Sequence, residues 1–543
     1  MPQEAFSIIK PINEPVLSYA PGTKERNELK RTLYELRGKV LEIPLIIGGK
    51  PVKTHNMGEC KCPHEHAHLL AKYHNAGETE VNAAIESALS ARESWSNLKW
   101  VDRAAIFLKA AALLAGPYRQ LLNAATMLCQ SKNAFQAEID ATCELIDFWR
   151  FNVHYMQQVY SQQPDSNQGV VNRSQHRPIE GFVYAVSPFN FTSIGGNLPT
   201  APATAGNVVV WKPASPAVYS NHFIMQILKE AGLPDGVINF IPGRSSEMGN
   251  IPLKHPQLAG LHFTGSTQTF RSMWKMVSEN IEKYRTYPRI VGETGGKNFI
   301  FVHSSADLDD VTTAVVRGAF EFQGQKCSAA SRLYVPESVW QAVKNRLVKE
   351  VRSIKMGAVE DFSNFINALI DKAAFEKVKS YIEFARNSSE AEIIVGGGSD
   401  DSKGYFVEPT IIVTKNPKFR TMMEEIFGPV LTVFVYPDEK FDETLRLCDQ
   451  TSPYALTGSF FARDGKAIAR GERVLVNAAG NFYINDKPTG ALVGQQPFGG
   501  ARLSGTNDKS GSLGHMFRWV SQRTIKENLA PPKEWRYPFM DEE

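Results

Sequence analysis

Gly181-Phe-Val-Tyr-Ala-Val-Ser-Pro-Phe-Asn-Phe-Thr192 marks a change in texture along the chain. Residues 182–186 form a short apolar run that reads as a strand, and Ser187-Pro188 punctuates its end. Strand-like runs recur at 208–211, 237–241, 260–263 and 299–302, with helix-like stretches at 223–230 and 270–284. Such alternation predicts an α/β fold, an open parallel sheet with helices on both faces, which is the architecture that binds nucleotides. The G-x-G-x-x-G fingerprint is absent. Its nearest substitute is Phe263-Thr-Gly-Ser-Thr-Gln-Thr-Phe270, where Gly265 and Ser266 stand between a strand and a helix. A glycine there permits close approach of a phosphate to a helix N-terminus, although Thr-Gly-Ser is also an ordinary turn.

Downstream, 309–322 reads as a helix with Val311, Val315, Val316 and Phe320 on one face, and a strand begins near Arg332. Between them lies Glu321-Phe-Gln-Gly-Gln-Lys-Cys-Ser-Ala-Ala330, with Gly324 breaking the helical pattern. Cys327 is thereby expected in a tight loop, flanked by Lys326 and Ser328. A nearby cation stabilises a thiolate, the attacking form of cysteine. The ordinary alternative is a buried cysteine acting as a small hydrophobe. Further strands at 333–335, 392–395, 406–414, 431–435 and 459–461 predict a second α/β domain.

A chain of 543 residues exceeds one ordinary core. Its 43% hydrophobic and 22% charged residues are those of a globular protein. The net charge of +3 gives no electrostatic case for nucleic acid or an anionic membrane, and no apolar run approaches the ~18 residues of a membrane span. The first ten residues have neither a secretory apolar core nor an Arg- and Ser-rich transit character. The expected compartment is the cytoplasm for a bacterial chain, or the mitochondrial matrix for a eukaryotic chain lacking its transit segment. Six sparse cysteines fit a reduced environment.

Toward the N-terminus, 24–37 reads as a helix, and 78–160 is helical with a break near Gly116-Pro117. Cys60-Lys-Cys-Pro-His-Glu-His-Ala-His68 invites a metal reading. However, its ligand types alternate as on one face of an extended hairpin, and no second pair follows, so a solvated strand and no metal site is expected. Residues 161–180 read as a linker or exposed excursion, and 512–543 as a terminal arm against a partner.

Four more stretches carry reactive types. Asn190, after the 182–186 strand, has an amide able to donate to an oxyanion. Lys212 ends the next strand, in Trp211-Lys-Pro213, and can meet a cofactor hydroxyl or phosphate. Glu293 lies among glycines in Gly292-Glu-Thr-Gly-Gly-Lys-Asn298, as a general base can. Glu425 and Phe427 share a turn in Glu424-Glu-Ile-Phe-Gly-Pro-Val430. Read singly, Asn190 could cap a turn, Lys212 could be solvated, Glu293 could pair with an arginine and Phe427 could be core.

Together these stretches resemble the aldehyde dehydrogenase superfamily, including the 34-residue spacing from Glu293 to Cys327. The resemblance implies a Rossmann-type NAD-binding domain over 1–160 and 181–303. It also implies a catalytic domain over 304–511 and a β oligomerisation arm from 161–180 and 512–543. It makes Cys327 the nucleophile, Asn190 and the Cys327 amide the oxyanion hole, and Glu293 the activator of water. Lys212, Ser215, Gly265, Ser266, Glu425 and Phe427 become cofactor contacts.

Asn485-Asp-Lys-Pro-Thr-Gly-Ala-Leu-Val-Gly-Gln-Gln-Pro-Phe-Gly-Gly-Ala-Arg502, Ser187-Pro-Phe-Asn-Phe-Thr-Ser-Ile-Gly-Gly196 and Ala137-Glu-Ile-Asp140 with Glu144-Leu-Ile-Asp-Phe148 are similar to the Δ1-pyrroline-5-carboxylate dehydrogenases. That group oxidises L-glutamate γ-semialdehyde to L-glutamate with NAD, in proline degradation. The resemblance places the substrate among Phe191, Lys326, Ser328, Gly490, Ala491, Phe498 and Glu144, and implies a homodimer or higher homo-oligomer. Two departures stand out. Ala491 replaces a residue whose hydroxyl helps anchor the substrate carboxylate. Ser215 replaces a glutamate that in many NAD-specific relatives repels a 2′-phosphate, so NAD is expected without electrostatic exclusion of NADP. The rival readings are a dehydrogenase of another carboxylated semialdehyde, a cysteine hydrolase, and a catalytically silent protein on this fold.

Overall fold

The structure, a computed structural model, describes residues 8–244 and 248–541. The leader reading at residues 1–7 and the last two residues of the expected arm lie outside that range. The strand Phe182–Val186 is buried at every position because it is central, flanked by Leu258–Thr264 and Val208–Lys212. Both faces of a parallel sheet are covered by crossover helices, which is why its strands read as unbroken apolar runs. Here the crossovers include Thr192–Thr204 and Val218–Ala231, the latter closed by Gly232 in the left-handed conformation at φ 101°. In order the sheet runs Arg289–Glu293, Leu258–Thr264, Phe182–Val186, Val208–Lys212, Ile238–Phe240, Leu45–Ile47 and Lys50–Val52. The first five are parallel, and the last two add antiparallel.

A second seven-stranded sheet runs Ala391–Val395, Thr410–Thr414, Val430–Tyr436, Ala330–Pro336, Asn298–Val302, Thr457–Phe461 and Asn481–Ile484. All its pairings are parallel except Ala391–Val395 with Thr410–Thr414. The boundary expected at 303 falls one strand late, since Asn298–Val302 pairs with Ala330–Pro336 and Thr457–Phe461. Asn298 keys it there by donating to the carbonyls of Cys327 and Ala329, at 2.6 and 2.9 Å.

The Cys60–His68 stretch is a hairpin, Met57–Cys62 against Glu65–His74. The expectation of a solvated strand is corrected, because Cys60, Cys62 and His64 are buried. The alternating face turns inward: the Cys60 thiol contacts the Ser215 carbonyl and His64 Nδ1 lies 3.1 Å from Ser131 Oγ. Part of 161–180 is regular, with Val170–Pro178 pairing antiparallel to Val520–Asn528 along nine residues of each strand. Among the described residues no helix is long and apolar enough to cross a membrane.

Candidate active site

The parallel strands of the first sheet deliver their chemistry at one edge. Lys212 and Glu293 end their strands, and Gly265 and Asn190 follow theirs within a few residues. This is the carboxyl edge, where doubly wound sheets bind ligands. Gly265 N–H donates to the Glu293 carbonyl at 3.2 Å. Ser266 caps the helix Thr267–Glu279, its Oγ accepting from Thr269 N–H at 3.2 Å. Lys212 is buried, and burial lowers its ammonium to about 8. Among the described residues its one hydrogen bond is a long 3.4 Å contact to the Pro213 carbonyl. Donors are thereby left for a hydroxyl-bearing ligand, and the residues present fit a dinucleotide.

The Glu425 carboxylate accepts from Gly296 N–H at 2.8 Å, and burial raises it above the ordinary glutamate range. Phe427 adopts φ 62° and meets Phe189 edge-on, with ring centroids 5.9 Å apart. Phe189 was not singled out from sequence; in Ser187-Pro-Phe-Asn it looks like any turn aromatic. Ser215 begins the 3-10 turn Ser215–Ala217 that leads into the helix Val218–Ala231.

The cysteine loop comes from the helix Leu308–Phe320, followed by Phe322, Gln323 and Gly324 all with positive φ, at 50°, 55° and 66°. Such strain persists only where the surroundings over-determine it. Here the Gln323 amide donates to the carbonyls of Ser131 and Ala368 at 2.9 and 2.8 Å. A Cβ at Gly296 would lie 2.2 Å from the Cys327 carbonyl oxygen, so only glycine admits this packing. Asn190 donates its side-chain amide to the Gln325 carbonyl at 3.1 Å, which brings it to the cysteine loop.

Cys327 is partly accessible. Enclosure, and after it the charges of Glu293, Glu425 and Glu144, hold its thiol well above the ordinary range, against the Ser328 N–H. The expected thiolate support from Lys326 is corrected. Lys326 is buried, with Nζ 3.2 Å from Glu321 and 3.5 Å from Asp140, and is not among the residues lining the cavity that Cys327 and Ser328 open into. Against the lowering effect of burial, Asp140 and Glu321 raise its ammonium further. Asp140 also binds Lys132 at 2.8 Å, and Lys487 reaches Glu321 at 3.3 Å.

Glu293 is half-buried, and burial followed by Asp508 raises it to about 8, against the pull of Lys509. A carboxyl titrating there is suited to accept a proton near neutrality.

A cavity of about 570 Å³ joins Cys327 and Ser328 to Gly490, Ala491, Phe498, Phe191 and Glu144. All the substrate residues expected from sequence except Lys326 thus meet in one space. Thr489 completes it: its hydroxyl lies 2.7 Å from the Ser328 hydroxyl. Two hydroxyls sharing one hydrogen bond leave one proton for the cavity. Glu144 accepts from the Ser193 hydroxyl, and burial, then Asp140, raises it to about 8.

The aldehyde dehydrogenase family model matches residues 52–524. The chain is 51% identical to the mitochondrial Δ1-pyrroline-5-carboxylate dehydrogenase of Dictyostelium discoideum, covering 98% of this chain and 96% of that protein. It is 49% identical to the mitochondrial enzyme of the same name from Homo sapiens, over 98% of this chain and 95% of that one. The crystal structure of the Mycobacterium tuberculosis Δ-pyrroline-5-carboxylate dehydrogenase bound with NAD superimposes with a TM-score of 0.96. Identity there is 48%, over 99% of this chain and 100% of that one. The doubly wound sheet, the cysteine loop and these matches agree: the chain belongs to the aldehyde dehydrogenase family.

Proposed function

We propose that the protein oxidises L-glutamate γ-semialdehyde, formed from Δ1-pyrroline-5-carboxylate, to L-glutamate with NAD, the second step of proline degradation. The observation that carries this reading is the single cavity lined by Cys327 together with Ser328, Thr489, Gly490 and Ala491. An aldehyde carbon at the sulfur and an α-carboxylate at the loop fit one substrate.

The resting Cys327 is a thiol, and its proton passes to cavity water as the sulfur adds to the aldehyde carbon. Asn190 and the Cys327 N–H stabilise the oxyanion that forms. NAD, when bound, accepts the hydride from that carbon. Lys212 and Glu425 would hold its ribose hydroxyls, Gly265, Ser266 and Ser215 would meet its adenosine side, and Phe427 would pack near the nicotinamide. Glu293 takes a proton from water as the water attacks the thioester, the Cys327 sulfur leaves, and glutamate departs. The covalent route makes hydride loss possible from a tetrahedral carbon instead of a trigonal aldehyde.

The first sheet forms the nucleotide-binding part and the second sheet the catalytic part. The ribbon of Val170–Pro178 and Val520–Asn528 is the arm through which a homodimer assembles. The compartment follows the source, cytoplasm for a bacterial chain and mitochondrial matrix for a eukaryotic one. Steady-state NAD reduction with Δ1-pyrroline-5-carboxylate beside succinate semialdehyde and propanal tests the reading. The expected result is the highest kcat/KM for Δ1-pyrroline-5-carboxylate. A preference for succinate semialdehyde would point to the other carboxylated-semialdehyde reading.

A further inference from the structure

The substrate cavity is rich in carboxylates, and most are neutralised internally. Glu14 pairs with Arg119 and Arg150, Asp140 with Lys132 and Lys326, and Glu321 with Lys326 and Lys487. Two cations line the cavity, Lys487 and Arg317. Lys487 is committed to Glu321. Arg317 is exposed, and among the described residues no hydrogen bond or ion pair holds its guanidinium.

A second cleft of about 640 Å³ adjoins the first, because Arg317 and Phe365 line both. Its charged lining is Arg317, Arg346, Lys349 and Lys355 against Asp309 and Glu350, an excess of two positive charges. Arg346 pairs with Asp309 at 2.5 Å, which leaves the surplus on Arg317, Lys349 and Lys355. A protein of small overall charge thus concentrates positive charge beside the cavity that Cys327 lines.

We infer that this cleft is an electrostatic vestibule that recruits an anionic carboxylate substrate, with Arg317 as the cation that hands it to the cavity. The inference rests on the proposed function and adds how the substrate arrives. The ring-closed imine carboxylate, with its nitrogen unprotonated, carries a net negative charge, whereas propanal carries none. Once captured, it adds water across its C=N bond and opens to the semialdehyde, a zwitterion of no net charge, before Cys327 attacks. A cleft of one sign raises the local concentration of the opposite charge and the rate of encounter, and salt screens the effect. Arg317 acts on capture, outside the bond-making steps.

The test measures kcat and kcat/KM for wild type, Arg317→Ala, Arg317→Lys and Arg317→Glu. Substrates are Δ1-pyrroline-5-carboxylate and propanal, at ionic strengths from about 20 to about 300 mM, spanning the range over which screening sets in. For wild type, kcat/KM with the imine carboxylate should fall with salt, while propanal stays flat. Arg317→Ala should lower kcat/KM for the imine carboxylate roughly 5- to 10-fold at low salt, flatten the salt dependence and leave kcat unchanged. Arg317→Glu should go further, and Arg317→Lys should recover most of the loss. Equal losses on both substrates, an unchanged salt slope in Arg317→Ala, or a salt-insensitive wild type would overturn the vestibule. A wild type that does not turn over Δ1-pyrroline-5-carboxylate at all would instead overturn the proposed function.

Discussion

Asn190 donates its side-chain amide to the main-chain carbonyl of Gln325 across 3.1 Å, tying the turn after the central strand Phe182–Val186 to the loop that carries Cys327. An amide nitrogen has two protons, so one fixes the loop and the other remains for an oxyanion. Asn190→Ala is expected to lower kcat about 100- to 1,000-fold, the effect of removing one oxyanion donor. Dinucleotide binding, followed by nicotinamide fluorescence, should be retained. A loss of binding in parallel with kcat would mean that Asn190 only holds the loop.

Glu293→Gln should slow thioester hydrolysis more than hydride transfer, giving a burst of NADH followed by slow turnover in stopped-flow. The wild-type deacylation rate should rise as pH passes through about 8, where burial places the Glu293 titration, because only the carboxylate accepts a proton. That limb should vanish in the variant. Glu293 is also the first charge raising the Cys327 thiol, so its removal lowers the thiol pKa. Iodoacetamide should therefore label Cys327 faster in Glu293→Gln than in wild type at the same pH.

The carboxylate wall can be dissected by substrate. Ser328→Ala removes one member of the Ser328–Thr489 hydroxyl pair, and hydrogen bonds to charged groups are worth about 1.5–3 kcal/mol. It should lower kcat/KM for glutamate semialdehyde about 10- to 100-fold and spare propanal. Gly490 adopts φ 93°, so Gly490→Val strains the loop and blocks close backbone approach. It should damage the same substrate selectively. Ala491→Ser should leave activity unchanged or tighten binding. Equal effects on both aldehydes would place the carboxylate anchor elsewhere.

Asp140→Asn should destabilise the fold by about 3–5 kcal/mol, because it leaves the buried ammonium groups of Lys132 and Lys326 short of a shared carboxylate. Urea midpoints of wild type and variant check this. A change below about 1 kcal/mol, the scale of an exposed pair, would show that water reaches the cluster.

The alternating strands are legible in the sequence because each is a local apolar run. Cys327, Glu293 and Asn190 stand out as candidates because a glycine-lined turn or a reactive type at a strand end is also a local pattern. Lys326 misled for the opposite reason. Its neighbour in sequence is the nucleophile, but its neighbours in space are Glu321, five positions away, and Asp140, on a separate helical segment. Which sheet Asn298–Val302 joins was equally hidden, because an apolar strand carries no mark of its partners and the side chain that keys it, Asn298, binds carbonyls of a distant loop. Cys60 and Cys62 alternate as a half-exposed strand would, and only tertiary packing shows that the alternating face is the buried one.

In the proposed mechanism Cys327 carries the substrate's acyl group between hydride loss and hydrolysis. Glu293→Gln mixed with NAD and Δ1-pyrroline-5-carboxylate, quenched in acid at the end of the NADH burst and mapped by peptide mass spectrometry, tests it most directly. A glutamyl thioester is expected on the peptide containing Cys327, in an amount equal to the NADH formed, and none in the Cys327→Ala variant. NADH formed in that amount without an adduct at Cys327, or by Cys327→Ala, would contradict it.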